Sequence, residues 1–378
     1  MRFETKTIHA GRSVDNTTSA VTMPIHLSTT FERAEDGSYP NEFVYSRENN
    51  PNRRALEECL TSLEDGYDCV SFASGMAAIS SVIEALPANK PRRVIMPNDM
   101  YYGIRSLLSD TDIGTNFDID VIDMTDLNQV EEAVKRVPTG LVWIETPSNP
   151  LVKVTDIEAI AKIAQQAGAY TVVDNTWATP VLQRPLSLGV DFSVHAATKY
   201  IGGHSDLMIG AAVARTDSPM LTNLRAWQHS KGAVPSPFDC WLALRGVQSL
   251  APRMTTHCSN ASAIADFLSR HPNVEAVHYP GLASHPGHPI AARQMSSFGG
   301  MLSFQVKGGQ REAMAVAANL RLLIRATSLG GTHSLIEHRA SVEGSTTTAP
   351  PNLLRLSIGL EHVDDLKEDL AQALDQVT

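Results

Sequence analysis

Short apolar runs rich in β-branched residues recur along the chain, separated by stretches whose apolar residues have helical spacing. The runs are RRVIMP near Val94, DIDVID near Val121, GLVWIE near Val142, AYTVVD near Val172, DFSVHA near Val194 and MIGAAVA near Ala212. Two of the amphipathic stretches, TDLNQVEEAVKRV and DIEAIAKIAQQAG, carry an aspartate near the start that suits a helix N-cap. Strands that alternate with helices predict an α/β fold with a mostly parallel sheet covered on both faces.

The pattern changes along the chain and predicts three regions. A chain of 378 residues exceeds the size at which a single hydrophobic core stops growing. Residues 1–50 contain many turn formers and few helical periods, so we expect an extended arm. Residues 51–235 hold the alternating pattern and predict a large domain. Residues 236–378 include the strand-like GGMLSFQV and a closing amphipathic helix, EHVDDLKEDLAQALDQV, and predict a smaller α+β domain.

Polar residues follow several of the predicted strands directly. Asn149 lies in TPSNP after GLVWIE, Asp174 ends AYTVVD, and Thr198 and Lys199 follow DFSVHAA. In sheets of this kind, ligands bind beyond the carboxyl ends of the strands. We therefore expect these side chains to meet at one edge of the sheet.

Lys199 stands among small residues and glycines in AATKYIGGHSD, and the nearest following carboxylate is Asp206. Burial lowers the pKa of an amine, and a neutral amine can form a Schiff base. Taken alone, a lysine in a glycine-rich loop is more often a solvated residue or a phosphate ligand. Asp174 changes that balance, because pyridoxal phosphate needs a lysine for its aldehyde carbon and a carboxylate that keeps its ring nitrogen protonated.

The segment FASGMAAI offers a place for the phosphate of such a cofactor. It puts Gly75 and Met76 ahead of an alanine-rich stretch, where backbone N–H groups of a helix N-terminus would face the ligand. By itself the segment is equally compatible with an ordinary turn and helix cap.

Taken in order, these motifs resemble the transsulfuration enzymes of cysteine and methionine metabolism, a family that includes cystathionine γ-synthase, cystathionine γ- and β-lyases and methionine γ-lyase. The most specific matches are DFSVHAATKYIGGHSD and VVDNTW, and the resemblance extends over nearly the whole chain through TIHAG, PIHLSTTF, YSRENNPNR, SGMAA, YYG, ETPSNP, HYPGL, FGGMLSF, SLGG and LLRLSIGLE. The resemblance implies a fold type I PLP-dependent transferase fold: a large domain with a mostly parallel, seven-stranded type of sheet and a smaller C-terminal domain. It also implies pyridoxal 5′-phosphate as the cofactor.

The resemblance assigns roles around the cofactor. Lys199 would hold it and shuttle protons, Asp174 would pair with the pyridinium nitrogen, and Asn149 would hydrogen-bond the ring hydroxyl. Tyr101 would stack on the ring and act as a base towards the substrate amine, with Tyr102 as the second choice. The expected phosphate ligands are Gly75, Met76 and Thr198.

The resemblance also assigns the substrate site and the assembly. Arg355, in LLRLSIG, would bind the substrate α-carboxylate with help from Ser328. Tyr45 and Arg47, in YSRENNPN, resemble a pair that reaches the phosphate in a neighbouring subunit. A homo-oligomer with shared active sites, a dimer of dimers, is therefore expected.

Several positions depart from the family pattern. Ala196 stands where a serine is frequent in the γ-acting members, and that removes one phosphate donor. Thr327, a further candidate substrate residue, and His333 stand where glutamates are frequent, and the loss of an acidic partner weakens the case for cystathionine itself. Arg105 and Arg325 are additional charges near predicted loops, and we expect both to be solvated.

The expected reaction is elimination or replacement at the β or γ carbon of a sulfur-containing amino acid, with a carbon–sulfur lyase like cystathionine γ-lyase as the first hypothesis. Cystathionine γ-synthase, cystathionine β-lyase and a γ-lyase for another substrate (acylhomoserine, methionine or a canavanine-like compound) remain open. A cofactor-binding regulator without turnover is a hypothesis of a different class. It is disfavoured because Lys199, Asp174, Tyr101 and Arg355 are all retained.

Composition narrows the partners. The chain is 43% hydrophobic and 19% charged with a formal charge of −10, which is typical of a soluble protein and disfavours nucleic acid or an anionic membrane as partners. No apolar run approaches the ~20 residues of a membrane span, and the N-terminus lacks a secretory apolar segment, so we expect a cytoplasmic protein. Histidine spacing indicates no metal site. We expect reduced thiols at Cys59, Cys69, Cys240 and Cys258.

Overall fold

The structure is a computed structural model that describes residues 1–344 and 347–377. Its strands are β1 (Asp68–Phe72), β2 (Arg93–Pro97), β3 (Asp118–Ile122), β4 (Leu141–Glu145), β5 (Tyr170–Asp174), β6 (Phe192–Ala196), β7 (Gly210–Ala214), β8 (Val274–His278), β9 (Met301–Val306), β10 (Ile324–Arg325), β11 (Leu335–His338) and β12 (Leu353–Ser357). Its helices are α1 (Phe3–His9), α2 (Pro51–Glu64), α3 (Gly75–Glu84), α4 (Tyr102–Asp110), α5 (Ile113–Asn116), α6 (Leu127–Arg136), α7 (Ile157–Gln166), α8 (Thr179–Leu182), α9 (Pro219–Lys231), α10 (Pro237–Val247), α11 (Leu250–Ser269), α12 (His288–Gln294), α13 (Gln310–Asn319), α14 (Arg339–Glu343) and α15 (Val363–Leu374).

Within the described residues, seven strands form the larger sheet in the order β1-β7-β6-β5-β4-β2-β3. Strands β2 to β6 run parallel to their neighbours in this group, whereas β7 is antiparallel to both β1 and β6. The prediction of an α/β fold with a mostly parallel sheet is confirmed. The apolar runs did not predict β1, because its sequence DCVSF carries polar residues at its first and fourth positions.

Helices cover both faces of this sheet, which explains why its central strands are apolar throughout. On one face Val172 and Val194 belong to a core that also contains Ile83 of α3. On the other face Val173 packs in a core with Ile160 of α7. The carboxyl ends of β4, β5 and β6 are thereby fixed side by side at one edge.

Side-chain caps set where the crossover helices begin. Asp126 and Asp156, the aspartates near the starts of the two amphipathic stretches, cap α6 and α7, because each accepts a hydrogen bond from a backbone N–H group in the first turn, at 3.0 and 3.1 Å. Ser74 caps α3 in the same way, accepting a bond of 3.0 Å from the Ala77 N–H group. Helix α3 therefore begins at Gly75, immediately beyond the end of β1.

The second sheet has the order β10-β11-β12-β9-β8 within the described residues and is antiparallel except for the β10–β11 pair. Helices α11, α13 and α15 contribute to its core. Strand β12 carries Arg355 towards the edge of the larger sheet. The first turns of the 236–378 region pack elsewhere: Cys240 and Leu244 of α10 share a core with Leu56 of α2.

The N-terminal region is only partly the extended arm that was expected. Helix α1 (Phe3–His9) lies within it, and the expectation is wrong for that segment because a single amphipathic turn or two leaves too little periodicity to detect. Residues 10–50 contain no helix or strand beyond an isolated bridge between Thr30 and Tyr45. Asn52 of α2 anchors this segment, accepting a bond from the His26 N–H group at 2.8 Å.

Other expectations concern thiols, metals and membranes. Each of the four cysteines is buried and unpaired. Among residues 1–344 and 347–377 there is no group of three or more His, Cys, Asp or Glu side chains that could hold a metal ion. In the same residues, no helix is both long enough and apolar enough to cross a bilayer.

Candidate active site

A cavity of about 200 Å³ lies where the carboxyl edge of the larger sheet meets β12 and the segment before β11. Most of the residues singled out from the sequence line it together. They are Gly75, Met76, Tyr101, Asn149, Asp174, Thr198, Lys199, Thr327, Ser328 and Arg355. The strand-end rule thus brought Asn149, Asp174, Thr198 and Lys199 to one edge of the sheet, as expected.

Lys199 follows β6 in a tight turn, and its Nζ donates a hydrogen bond of 2.8 Å to Ser328 Oγ. Burial lowers the pKa of the Lys199 amine to about 8, with a further contribution from the positive charge of Arg355 and opposition from Glu337. A substantial part of the amine is therefore neutral near physiological pH. That is the form able to attack an aldehyde or to accept a proton.

Asp174 ends β5 and lies beside Glu145, its register partner at the end of β4. The Asp174 carboxylate accepts a 3.0 Å hydrogen bond from the Thr176 N–H group. Burial raises the pKa of Asp174, whereas the bonds from Thr176 oppose that change. Burial and the charge of Asp174 both raise the pKa of Glu145 well above its usual range.

The beginning of α3 forms a cradle for an anion. The first intrahelical bond runs from the Ala78 N–H group to the Ser74 carbonyl, and Ser74 Oγ takes the Ala77 N–H group, so the amides of Gly75 and Met76 precede both. A Cβ at Gly75 would lie 2.8 Å from the Ala196 Cβ, which is closer than packing allows. Glycine is therefore required for α3 to approach β6.

Thr198 faces the same cradle, but its hydroxyl already has backbone partners. Its Oγ1 accepts a 3.0 Å bond from the Ile209 N–H group and donates a 3.3 Å bond to the Ile209 carbonyl. The donated bond is the longer of the two.

Tyr101 immediately precedes α4, and its backbone N–H group donates a 2.7 Å bond to Glu145 Oε2. The Tyr101 ring packs against Gly103, and only glycine leaves room for it, because a Cβ at position 103 would lie 2.4 Å from Tyr101 Cε1. Burial raises the pKa of the Tyr101 phenol, and the positive charges of Arg339 and Arg355 only partly oppose this. Tyr102 does not line the cavity.

Arg355 is buried and held by three groups. Its Nη1 donates to Asn149 Oδ1 at 3.0 Å, and its Nη2 donates to the Ser328 carbonyl at 3.1 Å and to Glu337 Oε2 at 2.6 Å. Asn149 thus uses its carbonyl oxygen on Arg355 and keeps its amide N–H groups for a ligand. Ser328 contacts Lys199 through its hydroxyl and Arg355 through its carbonyl.

Two predicted residues lie outside this cavity. Tyr45 is 44% exposed, and Arg47 donates a 2.9 Å bond to the His229 carbonyl. Neither lines the cavity within its own chain.

The expectation of solvated arginines is wrong for Arg105. Its side chain is only 18% exposed and forms an ion pair with the buried carboxylate of Glu343. That partner lies 238 residues along the chain, and no local pattern could have indicated it. Arg325 is exposed, as expected, and bonds to the Ala318 carbonyl.

Among the polar and charged residues of the cavity wall, sequence reasoning assigned no role to Glu145, Thr176 and Arg339. Glu145 could have been found, because it ends β4 just as Asp174 ends β5. Thr176 also follows a strand within VVDNTW, and its Oγ1 accepts a 2.8 Å bond from the Ala196 N–H group. Arg339 begins α14 and carries no signal of this kind.

The residues of the cavity fit pyridoxal 5′-phosphate. A lysine with a lowered pKa, a buried carboxylate at a strand end and a helix N-terminus with two leading amides supply partners for its aldehyde, its ring nitrogen and its phosphate. Gly75 lets the start of α3, with its two leading amides, lie against the end of β6, because a Cβ there would meet Ala196.

Comparisons with known proteins agree with this geometry. Residues 4–375 match the model of the Cys/Met metabolism PLP-dependent enzyme family. The chain is 45% identical to a cystathionine γ-lyase of Dictyostelium discoideum, over 99% of this chain and 98% of the relative, and 41% identical to a cystathionine β-lyase of Coxiella burnetii, over 98% and 97%. The solved structure of cystathionine γ-synthase from Xanthomonas oryzae pv. oryzae, in complex with aminoacrylate and cysteine, superposes with a TM-score of 0.95 at 40% identity and covers 100% of this chain and 98% of that one.

The chain belongs to the Cys/Met metabolism PLP-dependent enzyme family. It is a PLP-dependent enzyme that acts on small amino-acid substrates. The hypothesis of a regulator without turnover is not retained.

Proposed function

We propose that this protein is a carbon–sulfur lyase that acts on a sulfur-containing amino acid in the manner of a cystathionine γ-lyase. The observation that carries the proposal is the position of Ser328 between Lys199 and Arg355. One residue separates an amine with a lowered pKa from a buried guanidinium. An α-amino acid carries its amine and its carboxylate on one carbon, so a site that places these two side chains beside one residue suits it.

Each cavity residue has a part in this proposal. Pyridoxal phosphate, when bound, would supply an aldehyde for the substrate amine and an electron sink for the α carbon. Asp174 would keep its ring nitrogen protonated, and Asn149 would bind its ring hydroxyl through the amide group. Gly75, Met76 and Thr198 would hold its phosphate.

Lys199 is the proton carrier of the site. Its pKa of about 8 lets it accept a proton from the α carbon and return it elsewhere near neutral pH. When the leaving group is on the γ carbon, a β proton must also be removed before that group departs. Tyr101 is suited to ring stacking and to hydrogen-bond donation, since burial raises its pKa and it retains its proton near neutral pH.

The leaving group and the fate of the product distinguish the members of the family. Hydrolytic release gives a 2-oxo acid and ammonia, whereas capture by a thiol gives a new thioether and a transferase reaction. Thr327 is exposed at the cavity and supplies no charge for a distal ammonium group. Three alternatives therefore remain for the substrate panel below to separate. They are a lyase for an acylhomoserine, methionine or a canavanine-like substrate, a γ-synthase and a β-lyase.

The proposal includes a homo-oligomer, a dimer of dimers. Tyr45 and Arg47 lie away from the cavity of their own chain, which suits residues that reach the phosphate in a neighbouring subunit. The proposal takes residues 1–50, apart from α1, as the arm, residues 51–235 as the cofactor domain and residues 236–378 as the C-terminal domain, whose first helix, α10, packs against α2. Four buried, unpaired thiols suit a reducing, cytoplasmic compartment.

The test is a substrate panel on the purified holoenzyme, with 2-oxo acids identified from cystathionine, homocysteine, methionine, acylhomoserines and canavanine, each with and without cysteine. We expect cystathionine to yield 2-oxobutyrate when no cysteine is added. Pyruvate would instead identify a β-lyase, a thioether formed only with cysteine would identify a synthase, and activity restricted to an oxygen-linked substrate would overturn the carbon–sulfur assignment. Replacement of Lys199 by alanine should abolish turnover and alter the visible absorbance of the bound cofactor.

A further inference from the structure

A chain of alternating charges leads away from Arg355 into the protein. Glu337 Oε2 accepts hydrogen bonds of 2.6 Å from both Arg355 Nη2 and Arg339 Nη1, and Arg339 Nη2 donates to Glu343 Oε1 at 2.8 Å. Arg105 closes the far end through its ion pair with Glu343. We call these five residues the charge ladder.

The ladder is almost entirely excluded from water. The side chains of Arg355, Glu337, Arg339 and Glu343 are at most 5% exposed. Buried charges of this kind are stable only when they are paired, so each member fixes the charge and position of the next. The ladder runs from β12 through β11 and α14 to α4, the helix that Tyr101 precedes.

The net charge of the ladder matches one carboxylate. Three guanidinium groups and two carboxylates leave 3 − 2 = 1 positive charge. Without Arg339, Glu337 would be left with Arg355 as its cationic partner, and the sum would fall to 2 − 2 = 0. Arg355 would then be neutralised by Glu337 rather than by a ligand.

We propose that Arg339 is a positioning residue for substrate recognition: by neutralising Glu337, it leaves the positive charge of Arg355 available for the substrate α-carboxylate. This inference rests on the proposed role of Arg355 in binding that carboxylate. Arg339 acts through Glu337, a direct cross-strand partner of Arg355 in the β11–β12 register.

The ladder predicts an order of affinities that does not follow from loss of packing. Arg339→Met brings the ladder to zero, Glu337→Gln brings it to +2, and the double variant returns it to +1. Affinity for a carboxylate should therefore be weakest in Arg339→Met, restored in the double variant, and equal to or above that of the unmodified enzyme in Glu337→Gln. A change of one buried charge in the ladder should change the affinity for the carboxylate ligand by roughly tenfold or more.

The experiment measures binding rather than turnover. L-2-Aminobutyrate and propylamine differ only in the α-carboxylate, and neither has a leaving group on its β or γ carbon. Each is titrated into the holoenzyme and followed by the visible absorbance of the cofactor, with dissociation constants compared among the unmodified enzyme and the three variants. Arg325→Met is the matched control, because Arg325 is an exposed arginine on the neighbouring strand β10.

We expect Arg339→Met to weaken L-2-aminobutyrate by roughly tenfold, to leave propylamine unchanged, and to be rescued by the added Glu337→Gln substitution. Equal weakening of both ligands, or no rescue in the double variant, would overturn the proposal; the second result would assign Arg339 to direct contact with the substrate. If Arg339→Met does not retain the cofactor, the Glu337→Gln variant and the double variant provide the test. A roughly tenfold weaker affinity of the double variant for L-2-aminobutyrate than that of the unmodified enzyme would then overturn the proposal. If the unmodified enzyme binds L-2-aminobutyrate no better than propylamine, the role of Arg355 and the proposed function fail, a result distinct from failure of the ladder alone.

Discussion

Glu145 and Asp174 are direct partners in the register of β4 and β5, and both carboxyl groups face the same cavity. Two adjacent buried carboxyl groups do not both ionise readily. Hydrogen bonds from Thr176 favour the ionised form of Asp174, whereas the charge of Asp174 raises the pKa of Glu145 further. Of the two, Glu145 therefore has the stronger tendency to hold a proton, and Asp174 is the better suited to carry the charge that a pyridinium nitrogen needs.

This division predicts unequal effects of two isosteric substitutions. Glu145→Gln should leave cofactor affinity near that of the unmodified enzyme, because an amide oxygen still accepts the bond from the Tyr101 N–H group. Asp174→Asn should weaken cofactor binding by about 2 kcal/mol, the value of a lost charge-assisted bond. Equilibrium dialysis with absorbance detection measures both, and equal losses would contradict the assignment of the charge to Asp174.

The lowered pKa of Lys199 predicts how cofactor uptake depends on pH. Only the neutral amine attacks the aldehyde, so the rate at which the apo-protein incorporates pyridoxal phosphate should rise with pH and reach half its maximum near a pH of about 8. Arg355 lowers the pKa of Lys199 and Glu337 raises it. Arg355→Gln should therefore move the midpoint up, and Glu337→Gln should move it down.

Stopped-flow absorbance across the pH range measures these midpoints. The paired variants are each other's control, because each removes one charge near Lys199 but with the opposite sign. Movement of both midpoints in the same direction would show that something other than these charges sets the pKa of Lys199.

Ser328 combines a strained backbone with a functional hydroxyl. Its φ of 89° lies in the region that favours glycine, and a serine there costs about 1 kcal/mol or more. Ser328→Gly should raise the free energy of unfolding by about 1 kcal/mol, and Ser328→Ala should not. Both should lower turnover, since both remove the hydroxyl that holds Lys199 Nζ.

Urea denaturation and steady-state kinetics separate the two effects. Alanine keeps the strain and loses the hydroxyl, so it controls for the backbone. Unchanged turnover in both variants would mean that Lys199 does not depend on Ser328 for its position.

The parts of the site that the sequence predicted share one physical cause. Asn149, Asp174 and Lys199 follow apolar runs directly, and parallel strands bring their carboxyl ends to one edge. Glu145 obeys the same rule, because it ends GLVWIE just as Asp174 ends AYTVVD, and the same argument could have found it.

The charge ladder could not be predicted in this way. Arg105, Glu337, Arg339 and Glu343 come together because α4, β11 and α14 meet in three dimensions. A charge in a sequence carries no mark of its distant partner, and a solvated side chain is the usual outcome for an arginine. The resemblance to a family did not predict the ladder either, since Arg355 is the one member of the ladder to which it assigned a role.

The contact between Gly75 and Ala196 yields a last prediction, on the phosphate cradle. A Cβ at position 75 would lie 2.8 Å from the Ala196 Cβ, so Gly75→Ala should push the start of α3 away from β6 and displace the two leading amides. We expect roughly a tenfold loss of cofactor affinity, the effect of losing about one hydrogen bond to a charged group. The double variant Gly75→Ala with Ala196→Gly removes the opposing Cβ and should recover most of the loss, while Ala196→Gly alone should bind the cofactor as the unmodified enzyme does.

Ala196→Ser, which adds a hydroxyl at the same point, should tighten cofactor retention if it donates to the phosphate. Dialysis of each holoenzyme against buffer, followed by the visible absorbance that remains, measures all four, and failure of the double variant to recover would place the effect of Gly75→Ala elsewhere than at this contact.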